Sequence, residues 1–239
     1  MCGSAIHYET TVRGRTFVFG SSGFLYRSNK LMYDQQTKSL WHHLRGEPVV
    51  GPLTDSDIRL VPRPVVTTTW RDWTRRHPRT VVLDIDTGYV RDYTPGRPYG
   101  AYYASPDTMF PVFPRSRRLA TKDLIFVVRL DPDRKVYPLG AFDSVPVIND
   151  AVGATPVVIV GQGATRTARA YERRGLRFRP GPGADELITE GPGERWRIEE
   201  EGLVAVTDGR RLARLAGHLA YWFGWYAFHP NTPVYGREP

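Results

Sequence analysis

The sequence predicts an α+β fold dominated by strands, in which two pseudo-repeated units of hairpins plus a closing helix pack around a shared central segment. Glycine and proline account for 23 and 20 of the 239 residues, and aromatic residues for 12%. This composition favours short strands joined by turns. One long signature occurs twice, and continuous apolar runs lie between its two occurrences. These observations set the fold class.

The internal similarity is strongest at the signature W-x-x-W-x-x-x-H-P-x-T, which occupies residues 70–80 and 222–232. Upstream, S-L-W at 39–41 matches E-R-W at 194–196 at a slightly larger separation. Separations that shrink along the chain indicate small deletions in the second copy. A repeated supersecondary unit is the physical meaning of such self-similarity.

The similarity divides the chain into three parts that we expect to form one compact globule. A first unit covers about residues 1–105, a central connecting segment 106–154, and a second unit with a closing helix 155–239. The central segment belongs to neither copy.

Alternating polar and apolar residues in the first unit predict hairpins. One hairpin joins residues 5–9 to 16–19 through a turn at Arg13-Gly14, and a second joins 31–33 to 39–41. Residues 48–50 and 58–61 predict two further strands.

Two helices are predicted, one at each copy of the signature. The first covers 69–77, with Thr69 as its N-cap and Pro78 ending it. The second covers about 208–228 and is apolar nearly all round at its end. We expect His77 and His229, which hold the same place in the signature, to cap the helix C-termini.

Continuous apolar runs at 124–128 and 156–160 predict central strands. The second run continues into Gly161-Gln162-Gly163, which is similar to the start of a dinucleotide-binding unit. Arg166 stands where the third glycine is needed, so a strand–turn–strand is the better interpretation. The run at 81–85 predicts a strand that ends in a turn at 86–88.

The charge balance suggests an anionic partner. The formal net charge is +8, and arginines cluster at 115–118 and 166–174. Arginine binds carboxylates and phosphates through paired hydrogen bonds. No nucleic-acid motif accompanies the charge, so we do not expect nucleic acid as a partner. No apolar stretch approaches the roughly 20 residues of a membrane helix, so no transmembrane segment is expected.

Cys2 is the one cysteine, which excludes an intrachain disulfide and a cysteine-rich zinc site. His7 follows five residues later on a predicted strand. The pair is a candidate metal or thiol site, with copper, zinc or iron as the metals considered.

The remaining candidate site residues lie where the two units differ. The first unit carries polar residues over the 28–42 stretch, whereas the matching stretch of the second is rich in glycine and glutamate. We expect Cys2 and Asp34 to act as catalytic groups, Asp34 as base or ligand. The expected ligand-binding residues are Ser28, Asn29, Trp41, His42, Tyr99 and Tyr102.

Several motifs in order make the chain resemble the family DUF3179, a domain of unknown function. They are C-G-S-A at 2–5, G-x-x-G-x-L-x-x-S-N-x-L-M-Y-D from 20 to 34, G-E-P-V-V-G-P-L from 46 to 53, P-Y-G-x-Y from 98 to 102, and the closing signature. The resemblance covers nearly the whole chain and implies no activity.

The resemblance also bears on location. The resemblance implies that family members often carry a secretory or lipoprotein leader and open on the motif C-P-x-C-G-S-A. This chain begins inside that motif, so the first cysteine of the motif is missing. As written, the chain is expected in the cytoplasm, and outside it if an upstream leader was lost.

Two functions follow as hypotheses. The first is a small-molecule or metal-binding protein, with a redox or metal-dependent enzyme as one form of it, whose site lies in the first unit. The second is a non-enzymatic binding or scaffold protein that recognises an anionic or sugar-like ligand through a surface of tryptophan and arginine.

Overall fold

A computed structural model describes residues 2–94 and 96–237. Strands make up 38% of the chain and helices 9%, which confirms a β-rich fold. No helix within the described ranges is long and apolar enough to cross a membrane.

The described residues up to 105, where the sequence predicts the first unit, contain eight strands and two short helices. In chain order they are β1 (His7–Glu9), β2 (Thr11–Val12), β3 (Arg15–Thr16), β4 (Phe19–Tyr26), β5 (Asn29–Asp34), β6 (Leu40–His42), β7 (Glu47–Val50), β8 (Val61–Arg63), α1 (Trp70–Arg76) and α2 (Gly100–Ala104). Strands β4 to β7 form an antiparallel sheet in sequence order, β1 pairs with β8, and β2 pairs with β3.

Three predictions for the first unit are confirmed and two are shifted. The β5–β6 hairpin, β7 and the turn at Arg13-Gly14 occur as predicted, with both turn residues at positive φ. The arms of that turn are only β2 and β3, because residues 7–9 pair instead with β8. The strand expected at 58–61 begins at Val61.

Helix α1 is confirmed together with its cap. The side chain of Thr69 accepts a hydrogen bond from the backbone N–H of Asp72, and His77 forms the C-cap through a backbone bond to Trp73 O. The local signals of an N-cap hydroxyl and a following proline were therefore sufficient.

The rest of the chain is almost entirely strand. It contains β9 (Leu124–Leu130), β10 (Asp133–Pro138), a 3₁₀ helix (Leu139–Asp143), β11 (Val147–Val152), β12 (Thr155–Gln162), β13 (Thr167–Glu172), β14 (Phe178–Pro180), β15 (Glu186–Thr189), β16 (Arg195–Ile198), β17 (Gly202–Ala205), β18 (Arg211–Leu215), β19 (Gly217–Tyr221) and α3 (Trp222–Tyr226). The predicted central strands at 124–128 and 156–160 are β9 and β12.

Eight of these strands form one sheet that nearly closes on itself. Its order is β11-β12-β13-β18-β17-β16-β15-β14, all antiparallel. The side chain of Asn149 joins the two edge strands. Its Nδ2 donates to Phe178 O at 2.7 Å, and its Oδ1 accepts from Phe178 N at 2.8 Å. A side-chain amide thus takes the place of the missing backbone pair.

The predicted helix at 208–228 is wrong. Its residues form β18, β19 and the five-residue helix α3. Every residue of β19 is buried: the strand pairs with β9 at one edge of the sheet β10-β9-β19, and Leu219 and Ala220 pack into two core clusters. A short apolar run has the same sequence pattern in a buried strand and in a buried helix. Gly217 begins the strand and lies close against the ring of Phe126, where a side chain would not fit.

The strand predicted at 81–85 is also wrong. The structure assigns no strand there, and Val81 and Leu83 are 90% and 91% exposed. No neighbouring strand reaches this run to pair with its backbone.

The two copies of the signature have the same local geometry. The indole N–H of Trp73 donates to Thr80 Oγ1 at 3.0 Å, and that of Trp225 donates to Thr232 Oγ1 at 3.0 Å. Each indole ring also packs on the histidine four residues later, with centroids 4.0 and 4.2 Å apart. The signature is a structural unit at both places.

Candidate ligand-binding site

Asp34, at the end of β5, is fully buried, and its carboxylate holds a turn together. Oδ1 accepts from Thr37 N at 2.5 Å, while Oδ2 accepts from Thr37 Oγ1 at 2.7 Å and from the indole N–H of Trp41 at 2.9 Å. Burial alone would raise the pKa of Asp34, but these hydrogen bonds outweigh it and hold the pKa below its ordinary value. The geometry gives Asp34 and Trp41 a structural task.

Ser28 and Asn29 attach the tip of the β4–β5 hairpin to the opposite side of the molecule. Ser28 Oγ donates to Phe110 O at 3.1 Å, and Asn29 Nδ2 donates to Gly224 O at 3.0 Å. Arg27 and Ser28 both have positive φ, 46° and 60°, which non-glycine residues seldom adopt. The tertiary bonds of this tip keep that turn in place.

His42 is also engaged by the protein. Its Nδ1 accepts from Leu44 N at 3.1 Å and from Arg45 N at 3.3 Å, and its ring meets Phe228 edge-on at 4.1 Å. His43, which sequence reasoning missed, lies 3.4 Å from Asn29 Oδ1 through Nδ1. Burial, and then the nearby charge of Lys30, lower the pKa of His43 to about 4.

Cys2 and His7 lie in different surroundings. Cys2 is buried in an apolar cluster with Val112 and Tyr221, and its Sγ is 2.9 Å from Ser4 Oγ. His7 is exposed and lines a depression that includes Glu200. Within residues 2–94 and 96–237, no three His, Cys, Asp or Glu side chains are grouped so that they could hold a metal ion. The metal site stays a prediction.

Tyr99 and Tyr102 line one cavity, which we call the Tyr99 cavity. Its volume is about 300 Å³, and Lys30 and Tyr103 contribute to its wall. Burial, and then the neighbouring Tyr221, raise the pKa of Tyr102 to about 12.

A second cavity lies against helix α3, and we call it the Trp222 cavity. Its volume is about 380 Å³. Its aromatic wall is formed by Trp222, Phe223 and Tyr226, and its polar wall by Thr108, Arg115, Ser116, Arg117 and Thr121. An aromatic wall with a few polar groups is typical of small-molecule sites.

The backbone explains why this wall forms. Trp222 N donates to Asp123 O at 2.9 Å, and Phe223 N donates to Thr121 O at 3.0 Å. These bonds fix the first turn of α3 against the segment that carries the arginines. The contact joins residues about a hundred positions apart, so no local sequence pattern predicts it.

Two residues here carry buried donors without an acceptor, namely Trp222, which lines this cavity, and Arg118, which contacts Trp222 without lining the cavity. The indole N–H of Trp222, and Nε and Nη2 of Arg118, find no hydrogen-bond partner among the residues the structure describes. The Arg118 guanidinium lies over the Trp222 ring, 5.9 Å from its centroid, and its Nη1 donates to Thr232 O at 3.1 Å. A buried donor without an acceptor costs about 1–3 kcal/mol, so an external acceptor would stabilise this arrangement.

A third cavity, which we call the Lys122 cavity, has a volume of about 840 Å³. Its charged and aromatic lining comprises Tyr103, Lys122, Asp123, Arg166, Tyr221, Tyr235 and Arg237. Lys122 Nζ donates to Tyr102 O and to Ser105 O, and it lies 3.6 Å from the centroid of the Tyr102 ring.

A further cleft of about 610 Å³ lies between α1 and the mouth of the eight-stranded sheet. Its charges are already paired, because Arg76 binds Asp72 and Asp185, and Arg169 binds Glu200. These ion pairs leave the cleft with less charge to offer a ligand than the other three cavities have.

The tryptophans divide into core and surface. Trp41, Trp196, Trp222 and Trp225 are at most 1% exposed, whereas Trp70 is 54% exposed. A broad groove of exposed tryptophan is therefore absent from the described residues. Arginine lies over a tryptophan ring at two places, Arg118 over Trp222 and Arg210 over Trp196, and of these two tryptophans Trp222 is the one that lines the Trp222 cavity.

Comparison with known proteins places the chain by family alone. The family model described as "Protein of unknown function (DUF3179)" matches residues 1–232. No curated protein and no solved structure matches the chain.

Proposed function

Because the chain belongs to the DUF3179 family, which carries no assigned activity, its function must be argued from its site, and we propose that it binds a small anionic, sugar-like molecule in the Trp222 cavity. The observation that carries the proposal is the set of buried donors of Trp222 and Arg118 that lack an acceptor beside an aromatic cavity. This is the non-enzymatic of the two functions suggested by the sequence.

The chemistry of the wall favours a hydroxylated carboxylate. Arg115 and Arg117 supply positive charge, while Ser116 and Thr121 supply hydroxyl groups that both donate and accept. The ring of Tyr226, which is only partly buried in the same wall, suits the apolar face of a sugar ring. A hexuronic acid combines all of these features.

We also propose that the first and second units are copies of one ancestral unit. Strand β1 pairs with β8 as β13 pairs with β18. The hydroxyl of Tyr8 donates to His43 O at 3.0 Å, and that of Tyr171 donates to Glu199 O at 3.2 Å. These contacts are similar in kind in the two units, and the shared geometry of the signature supports the same proposal.

The copies differ at the first tryptophan of the signature. Trp222 is 1% exposed against the central segment, whereas its counterpart Trp70 is 54% exposed. Trp222 therefore lines a cavity, whereas the cleft beside the first signature is lined by its charged residues Asp72, Arg75 and Arg76 and not by Trp70. This difference supports a site at the second signature.

Calorimetric titration with glucuronate, glucose and inorganic phosphate tests the binding proposal. We expect measurable binding of glucuronate, weaker binding of glucose because it lacks the carboxylate, and loss of most glucuronate affinity in Trp222→Phe. That variant keeps an aromatic ring and removes one N–H, which is worth about 1–1.5 kcal/mol, or about tenfold in affinity.

Trp70→Phe is the matched control, since its indole is exposed and lies on α1. We expect it to bind like the wild type. Binding of neither glucuronate nor phosphate to the wild type, or equal binding in Trp222→Phe, would contradict the proposal.

A further inference from the structure

The three cavities named after Tyr99, Lys122 and Trp222 are neighbours along one segment of the chain. Tyr103 of α2 lines both the Tyr99 cavity and the Lys122 cavity. Pro106 lines both the Lys122 cavity and the Trp222 cavity. The cavities are therefore adjacent around residues 99–123, and we call the three together the track.

The track is positively charged. Its basic lining residues are Lys30, Arg115, Arg117, Lys122, Arg166 and Arg237, against only Asp107 and Asp123 as acids. Across residues 2–94 and 96–237, none of these six cations forms an ion pair, in contrast to Arg76 and Arg169 in the cleft beside α1. The positive charge of the track is thus not neutralised by acidic side chains, while Lys122 already donates to Tyr102 O and Ser105 O.

Aromatic side chains along the same segment are exposed. Tyr99 and Tyr103 are 61% and 59% exposed, and Phe110 and Phe113 are 43% and 63% exposed. Of these four rings, Tyr99 and Tyr103 line the track itself, and exposed rings in a cavity wall indicate a site that a partner covers. Rings near cations that form no ion pair suit a chain of sugar rings that carry carboxylates.

Building on the proposed function, we infer that the track binds an acidic polysaccharide, a chain of uronic-acid residues of which one occupies the Trp222 cavity. Successive rings of the chain lie on Tyr99 and Tyr103, which are exposed, and on Tyr226 of α3, which is partly exposed. The carboxylates of the chain meet Arg166, Arg117 and Lys30, which spread over the three cavities.

The acidic residues of the track favour a glycan over a nucleic acid. Asp107 and Asp123 lie among the cations and accept hydrogen bonds from sugar hydroxyls, while they repel the dense phosphates of a nucleic-acid backbone. Tyrosine hydroxyls at Tyr99 and Tyr103 add donors that suit hydroxyl-rich ligands.

Titration of the whole protein with galacturonate and with its oligomers of three and six residues tests the inference. We expect the hexamer to bind at least about tenfold more tightly than the monomer, because a linked chain adds contacts without a new loss of translational freedom. Arg166→Asn is expected to remove about tenfold of the hexamer affinity and to leave the monomer affinity unchanged within about twofold.

Asparagine is chosen because Arg166 has a φ of 53°, a conformation that asparagine tolerates. Arg174→Asn is the matched control. It is another arginine with positive φ, 43°, and it does not line the track. We expect it to bind both ligands like the wild type.

The outcomes separate this inference from the proposed function. Equal affinities for monomer and hexamer would overturn the polysaccharide and leave the single-sugar site standing. Absence of all binding would contradict both. Tighter binding of a single-stranded oligothymidylate than of the hexamer would overturn the glycan in favour of a nucleic acid.

Discussion

The guanidinium of Arg118 lies over the indole ring of Trp222, 5.9 Å from its centroid, and both side chains hold buried N–H groups without an acceptor. The other tryptophan of the same helix differs, because the indole N–H of Trp225 donates to Thr232 Oγ1 at 3.0 Å. Two tryptophans on one five-residue helix thus have different surroundings. Trp225 is a core residue whose indole N–H is hydrogen-bonded, and Trp222 lines the Trp222 cavity.

Replacing Arg118 by methionine tests the cationic half of this contact. Methionine keeps an apolar stem on the indole ring but removes the charge and the donors. We expect glucuronate affinity to fall about tenfold and the free energy of unfolding to fall by about 1 kcal/mol, since the bond from Nη1 to Thr232 O is also lost.

Calorimetry and urea unfolding measure the two effects separately. Arg71→Met, at an exposed position of α1, serves as the control and is expected to change neither. Unchanged glucuronate binding in Arg118→Met would show that the Arg118 guanidinium takes no part in binding glucuronate.

Asp34→Asn distinguishes a structural carboxylate from a functional one. The isosteric amide turns an NH₂ group toward N–H or O–H donors of Thr37 and Trp41, so at least one buried bond is lost. We expect the free energy of unfolding to fall by about 1–3 kcal/mol with ligand binding retained.

The exposed Asp57→Asn is the control, and its stability should stay within about 0.5 kcal/mol of the wild type. A stable Asp34→Asn that no longer binds glucuronate would return Asp34 to the role of a functional group, as the sequence suggested.

Four histidines, two of them buried and two partly buried, predict a loss of stability in mild acid. Burial first, and then nearby charges, lower the pKa of His42, His218 and His229 from 6.5 to about 3, and that of His43 to about 4. The unfolded chain therefore binds protons below pH 6.5 that the folded protein does not. Stability is full above pH 6.5 and falls as pH decreases toward the folded pKa values.

Between pH 6.5 and the ordinary pKa of glutamate, 4.5, the histidines of the unfolded chain take up protons while most carboxylates are still ionised. Each is expected to contribute up to about 1.4 kcal/mol per pH unit to the slope. Urea unfolding across this window measures the slope, and His218→Phe, which keeps a ring beside Trp225, should reduce it by one histidine's share. An unchanged slope would mean that His218 does not stay neutral.

Several local elements follow from the sequence alone. The β5–β6 hairpin and the α1 cap at Thr69 depend on residues a few positions apart, so pattern and turn chemistry determine them. Strands β9 and β12 follow from uninterrupted apolar runs, because they are buried inside their sheets.

Elements decided by distant partners could not be predicted in this way. Residues 217–221 form a strand because β9 lies beside them and pairs with their backbone. Residues 81–85 form no strand, and no strand of the described part of the chain pairs with them. The site shows the same limit. Tyr99 and Tyr102 line a cavity as expected from the sequence, whereas the Trp222 cavity depends on α3 packing against residues 106–121.

The contact between the two edge strands of the eight-stranded sheet could not be predicted from the sequence either. It leads to a further prediction. Asn149→Ala removes both bonds to Phe178 and leaves the N–H and C=O of that residue unpaired. We expect the free energy of unfolding to fall by about 2–3 kcal/mol and amide exchange in β14 to accelerate.

The exposed Asn231→Ala is the control and should leave both quantities unchanged. An Asn149→Ala protein as stable as the wild type would show that the two edge strands hold together without the side-chain amide.

The most direct test of the Trp222 site is the indole N–H resonances of ¹⁵N-labelled protein, recorded while glucuronate is added. The resonance that disappears in Trp222→Phe identifies Trp222. We predict that this resonance moves on titration while that of Trp225, already bonded to Thr232, stays in place. A stationary Trp222 resonance at saturating glucuronate, or movement confined to Trp70, would contradict the proposed site.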